Sequence, residues 1–150
     1  MGFSLNIIVG FILFLVEVLR AIKRISIIFR DKTVGCDALF DTGASVTIIS
    51  TRFFASNFAP EWKKLEKPLR VFWINGESII VDKYVQVFLK MDDQVFPETV
   101  FLVDDFVEEI EVNGKKIRMP QVIIGAGTMD KYGIVIEPKK GVKVTPMLLI

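Results

Sequence analysis

A chain of 150 residues, 51% apolar and 25% charged, has the material for one domain with a real core, and this composition excludes disorder. Its formal net charge of +1 lacks the basic excess of a nucleic-acid binder, so none is expected as a partner. No histidine and one cysteine, Cys36, exclude His-based triads, His-ligated zinc and intrachain disulfides. Any catalysis must therefore rest on carboxylates, Ser/Thr, Lys or Tyr, and neither a metal nor a cofactor is implied.

The first element is hydrophobic. Residues 1–16 carry no charged side chain, and apolar character runs on to Leu19 with Glu17 as the interruption. That length lies between the roughly 20 residues of a membrane span and the shorter runs of about 10–14 that are usually something else. Arg20, Lys23 and Arg24 follow, while no Lys or Arg precedes. The positive-inside rule then predicts a single-pass anchor helix over residues 1–22, with residues 23–150 as a cytoplasmic domain. Glu17 stands three residues before Arg20 and can be paired at the interface. A cleaved signal peptide fits less well, for lack of a basic start and a small-x-small site. A buried or interfacial helix is the alternative.

From Ile25 the pattern changes to short runs of Val, Ile and Phe between turn residues, which with 13 Phe indicates an all-β interior. Ile25–Phe29 and Val34–Phe40 read as strands around the turn Arg30-Asp31-Lys32. Val46–Ile49 is a further apolar run, and Ser50 can cap a short helix over Thr51–Phe58. Glu61–Lys67 reads as a surface connection. Pro68–Ile74 and Ile79–Lys90 read as strands joined at Asn75-Gly76, a strong signal for a tight hairpin. Val95–Val103 follows. An acidic, solvated stretch from Asp104 to Glu111 leads to a second small hairpin at Asn113-Gly114. Gln121–Ile124 is a strand broken by Gly125, and Thr128–Tyr132 is a short helix. Gly133–Glu137 and Val142–Ile150 close the chain.

The feature that carries chemistry is Ala38-Leu39-Phe40-Asp41-Thr42-Gly43-Ala44-Ser45, an acid at the end of an apolar strand. The strand end holds the carboxylate rigidly. Gly43 permits close backbone approach or a positive φ, and the Thr42 hydroxyl can join a network beneath the acid. Here the sequence resembles the retropepsins, the retroviral-type aspartic proteases, whose signature is an apolar strand followed by Asp-Thr-Gly-Ala. Two further matches keep the order and spacing of that family. Val122-Ile123-Ile124-Gly125 stands about 80 residues downstream and leads into a short helix ending at Tyr132-Gly133. Between them, Asn75-Gly76 stands where the family has its flap.

The resemblance implies a closed β-barrel, an acid-protease half-domain with one short helix, here preceded by the transmembrane helix. It implies a homodimeric aspartic endopeptidase in which two Asp41 carboxylates share a proton and activate water. Thr42 would brace the pair and Gly43 would add backbone contacts. Ala44, Ser45, Ile124 and Gly125, together with Trp73, Ile74, Asn75, Gly76 and Glu77 of the flap, would hold an extended peptide or protein substrate. The chain departs from the pattern at Ala126-Gly127, where the family places a polar or charged residue; Thr128 could cap the helix instead. The insertion Asp104–Pro120 and the strand after Glu137 are also atypical, and dimer contacts would fall to Met147–Ile150 or the anchor. The alternative is an inactive retropepsin-like dimerisation or peptide-binding module tethered to the membrane.

Overall fold

The computed structural model describes residues 21–72 and 78–145. The proposed anchor (save Ala21 and Ile22), the flap tip 73–77 and the tail 146–150 lie outside the described residues. Among those described, no helix is long and apolar enough to cross a membrane.

The barrel is built from β1 (Ile22–Phe29), β2 (Lys32–Asp41), β3 (Ile48–Ser50), β5 (Ser78–Met91), β6 (Gln94–Val103) and β9 (Val122–Gly125). The order is β1-β2-β9-β3-β6-β5, and β5 returns to pair with β1, which closes the ring. β5 can do this because it is 14 residues long. Its second half bonds β1 through Ser26↔Lys90 to Ile28↔Phe88. Its first half bonds β4 (Lys63–Phe72), which lies outside the ring. Two small hairpins, β7–β8 (Glu109–Val112, Lys115–Arg118) and β10–β11 (Ile134–Glu137, Gly141–Val144), are separate sheets. Two seven-residue helices, α1 (Thr51–Asn57) and α2 (Ala126–Tyr132), follow β3 and β9.

The central strands are covered on both faces. Ala38, Phe40, Ile49, Val122 and Ile124 point into the main core with Leu89, Met91 and Phe54. Their neighbours Leu39, Ile48 and Ile123 point into a second core with Val71, Val81, Val103 and Phe106. This explains why the end of β2 (Ala38–Phe40), β3 and β9 read as apolar runs rather than alternating ones: side chains of opposite parity are both buried. Phe54 docks α1, meeting Phe29 edge-on at 5.2 Å, and Ser50 caps that helix by accepting from Phe53 N at 3.2 Å.

Several sequence expectations need adjustment. β1 starts at Ile22, not Ile25, and the Ala21 carbonyl already accepts from Phe40 N at 2.8 Å. The polar stretch read as a connection supplies the start of β4 at Lys63, because Lys63↔Tyr84 and Lys64↔Lys83 extend the edge of β5. The register shifts between Lys64 and Leu69, around Pro68, which has no N–H to give the ladder. The acidic stretch is not uniformly solvated: Phe106 turns inward and closes the second core. The Asn113-Gly114 hairpin forms as expected, with φ of 51° and 76° at the two turn residues.

Cys36 is buried in β2, and burial pushes its thiol up to about 11, with Arg24 opposing and Asp37 adding to the rise. Raising the group from 9.0 to about 11 should make alkylation at pH 8 about a hundredfold slower in the folded protein than in urea, through the smaller thiolate population. The same shift contributes stability below about pH 9 that is lost as pH rises toward about 11. Equal alkylation rates in the two states would contradict this burial.

Candidate active site

Asp41 is the last residue of β2 and is 7% exposed. It sits where the parallel pairing with β9 ends, in the register Leu39↔Ile123, Phe40↔Ile124, Asp41↔Gly125. The chain then turns, with Ala44 N donating to the Asp41 carbonyl at 3.2 Å. The Gly43 N–H donates to Asp41 Oδ1 at 2.8 Å. Asp41 Oδ2 is shielded and finds no hydrogen-bond partner among the described residues. A buried carboxylate oxygen without a donor costs roughly 1–3 kcal/mol. One oxygen is thus held, and the other is shielded without a donor among the described residues.

Gly43 earns its place by close approach rather than by a positive φ. A Cβ there would lie 3.1 Å from Asp41 Oδ1 and would press on the carboxylate that the Gly43 amide holds. Gly125 is tighter still. A Cβ at that position would lie 2.3 Å from the Val46 carbonyl oxygen and 2.8 Å from Val46 N. The loop 44–47 therefore lies directly on the end of β9. Ala126 N donates to the Ala44 carbonyl at 2.7 Å and Gly127 N to the Ser45 carbonyl at 3.1 Å, which straps the two segments together. The Ala126-Gly127 pair, where a polar residue was expected, fits this strap: a Cβ on Gly127 would lie 2.9 Å from the Ser45 carbonyl.

Behind the strap lies a polar group that sequence reasoning did not assemble. Gly125 N donates to Thr47 Oγ1 at 3.1 Å, and Thr47 Oγ1 lies 2.7 Å from Thr128 Oγ1. Thr128 donates to Glu98 Oε2 at 2.8 Å, and Lys131 Nζ donates to Glu98 Oε1 at 3.0 Å. Thr128 was expected to cap α2. The N-cap is instead Gly125, with no side-chain cap, and the Thr128 hydroxyl turns to Thr47 and Glu98. Thr42, expected to network beneath the acid, is exposed, and Thr47 occupies the buried position below the loop.

The remaining predicted residues divide. Ser45 is exposed, whereas Ala44 is buried in the second core. Ile124 is fully buried in the main core, so in the single chain it packs rather than lining a groove. Its parity decides this: residue 123 faces one core and residue 124 the other. The flap residues Trp73 to Glu77 lie outside the described residues. Asp41 lines none of three surface clefts on the single chain; one of about 280 Å³ lies behind the loop, between Ser45, Thr47, Glu98 and Lys131.

With this geometry in place, comparison with solved structures is informative. The retroviral protease-like domain of Ddi1 from Leishmania major matches with a TM-score of 0.53 at 11% identity, over 81% of this chain and 86% of that one. The fold is retropepsin-like. The EIAV protease complexed with the inhibitor HBY-793 matches with a TM-score of 0.49 at 16% identity, over 75% of this chain and 86% of that one. No protein-family profile and no curated protein matches the sequence. In this retropepsin-like frame Asp41 stands at the end of a central strand, in the loop that crosses the second apolar-apolar-Gly strand.

The strap predicts a steep cost for a single methyl group. Gly125→Ala should lower stability by about 2–4 kcal/mol in urea denaturation, since backbone rather than a flexible side chain must yield. A loss of less than about 0.5 kcal/mol would show that the two segments can separate freely.

Proposed function

We propose that this chain is a membrane-anchored aspartic endopeptidase that works as a homodimer. The observation that carries the reading is the Asp41 carboxylate itself. It is buried at a strand end, with one oxygen fixed by the Gly43 amide and the other without a donor among the described residues. One chain supplies one such acid, and a two-fold axis past the loop would bring Asp41 of a second copy to face it. Two carboxylates that close share one proton.

The charged member then takes a proton from a bound water as that water attacks the peptide carbonyl carbon. The protonated member donates its proton to the carbonyl oxygen, giving a tetrahedral diol. Collapse of the diol breaks the C–N bond, and the amine leaves with a proton. No acyl-enzyme forms, in keeping with a chain that has no histidine to activate a serine. Thr42 and Ser45, both exposed beside the acid, are positioned to meet the partner or the substrate. Residues 73–77 would close over an extended peptide.

The anchor reading places the apolar run before Arg20 in the membrane with the domain on the cytoplasmic side, and that run supports it. Ala21 and Ile22, the last two residues of the expected anchor, belong instead to the barrel, where Ala21 is buried and Ile22 pairs with Leu39. Because Ala21 pairs with Phe40, the chain enters the barrel one residue from the catalytic aspartate, which favours peptide bonds close to a bilayer surface as substrates.

Asp41→Asn should reduce peptide cleavage by about 10²–10⁴-fold with folding intact, and a statine-type mimic should inhibit the wild type. The pH–rate profile should be bell-shaped, because only the singly protonated pair is competent. Specific activity should fall on dilution as dimers separate. Undiminished cleavage by Asp41→Asn would remove the aspartic mechanism. Wild-type chain that cleaves nothing in a broad peptide library would leave the peptide-binding or dimerisation module. The full chain should resist extraction by high salt and enter detergent; release by salt alone would defeat the anchor.

A further inference from the structure

The Thr47–Thr128–Glu98 group has a defined direction, which follows from counting protons. Glu98 in β6 has a side chain only 8% exposed, and its carboxylate is an acceptor at both oxygens. Oε1 takes Thr99 N at 2.9 Å and Lys131 Nζ at 3.0 Å; Oε2 takes the Thr128 hydroxyl at 2.8 Å. The single Thr128 proton is thereby committed to Glu98. Across the 2.7 Å contact Thr47 must then be the donor and Thr128 the acceptor. The Thr47 oxygen keeps its lone pairs for the Gly125 N–H at 3.1 Å. Every member has one available role, and the charge of Glu98 sets the order.

The far end of this relay is the residue opposite Asp41 in the β2–β9 register. Thr47 is also tied through its carbonyl, which accepts from Phe101 N at 3.0 Å. It is 1% exposed and Thr128 3%, so these bonds are largely shielded from solvent. Lys131, on α2, holds the Glu98 carboxylate from the outer side.

We infer that Glu98 is a positioning residue for Asp41: through Thr128 and Thr47 its charge locks the loop 44–47 onto Gly125 and so fixes the direction of the catalytic carboxylate. The inference rests on the proteolytic reading for its kinetic consequence, but its structural half does not. An uncharged amide at position 98 offers one accepting oxygen to three donors, so Thr128 or Lys131 loses its partner and the order is no longer imposed. Thr47→Val keeps the shape of the side chain and removes the acceptor for Gly125 N–H. Thr47→Ser restores it.

The test reads amide hydrogen exchange at Gly43 and Gly125 in the full chain, alongside steady-state kinetics. The Gly43 amide reports directly on Asp41, because it donates to Oδ1 at 2.8 Å. Thr47→Val and Glu98→Gln should speed exchange at both amides about tenfold or more, with Thr47→Ser close to wild type. Where cleavage is measurable, kcat should fall about tenfold while KM stays within about twofold, as expected for a displaced reacting group rather than lost binding. The two limbs of the pH–rate profile should also draw together, because misaligned carboxylates share a proton less well. Gly43 exchange within about twofold of wild type in both folded variants would overturn the inference, even with a lowered melting temperature. If Thr47→Val does not fold, the Glu98→Gln and Thr47→Ser pair decides by the same readout. A wild-type chain without proteolysis would fail the functional proposal and leave the exchange comparison to judge the relay.

Discussion

The rest of the structure depends on the contact between the backbone of Val46 and Gly125. Two chain segments distant in sequence cross here so closely that no β-carbon fits between them. The approach lets Ala126 and Gly127 donate to the carbonyls of Ala44 and Ser45, and lets Gly125 donate to Thr47. Those bonds satisfy backbone groups that would otherwise be buried unpaired in a non-ladder loop, where each would be costly. A tight loop at the end of β2 can thus be irregular, partly exposed and still tied down. Asp41 inherits that rigidity.

Burial on both faces of the central strands serves the same end. A strand with one wet face could shift or breathe toward solvent, whereas β3, β9 and the end of β2 are packed from either side. The second layer draws on the Asp104–Pro120 insertion through Phe106 and on Val71 and Val81 from the β4–β5 pair. Surface ion pairs tie the insertion down: Arg52 meets Glu108 at 3.0 Å, and Lys83 meets Asp104, whose carboxyl the Lys83 hydrogen bond holds below its usual range. These exposed pairs contribute little to stability by themselves. Their effect is to orient a segment whose buried Phe106 does the packing.

In the proposed dimer a single copy would present half of a site. Asp41 Oδ2 lacks a donor among the described residues, and Asp41 lines none of three clefts formed by described residues. Such an acid suits the proposed site completed by a second copy across a two-fold axis. The described chain begins at Ala21, whose carbonyl accepts from Phe40 N, so β1 starts beside the end of β2 that carries Asp41.

The sequence by itself limited the possible chemistry and set the local turns. Without histidine and with one cysteine, any catalysis was confined to carboxylates, Ser/Thr, Lys or Tyr; Asp-Thr-Gly after an apolar strand singled out Asp41 through its resemblance to the retropepsins, and Asn-Gly marked the β7–β8 hairpin. Such features depend on residues a few positions apart, where backbone preference is decisive. Only the tertiary structure decided which side chains meet. Thr47 and Thr128 are 81 positions apart, and Thr128 and Glu98 are 30 apart, so no local pattern links them. Unbroken apolar runs also hid the direction of Ile124, since a strand buried on both faces has no period to read. The edge strand β4 begins with lysines that pair only because β5 offers a free edge. Register and packing between distant segments, not composition, put the parts of this site together.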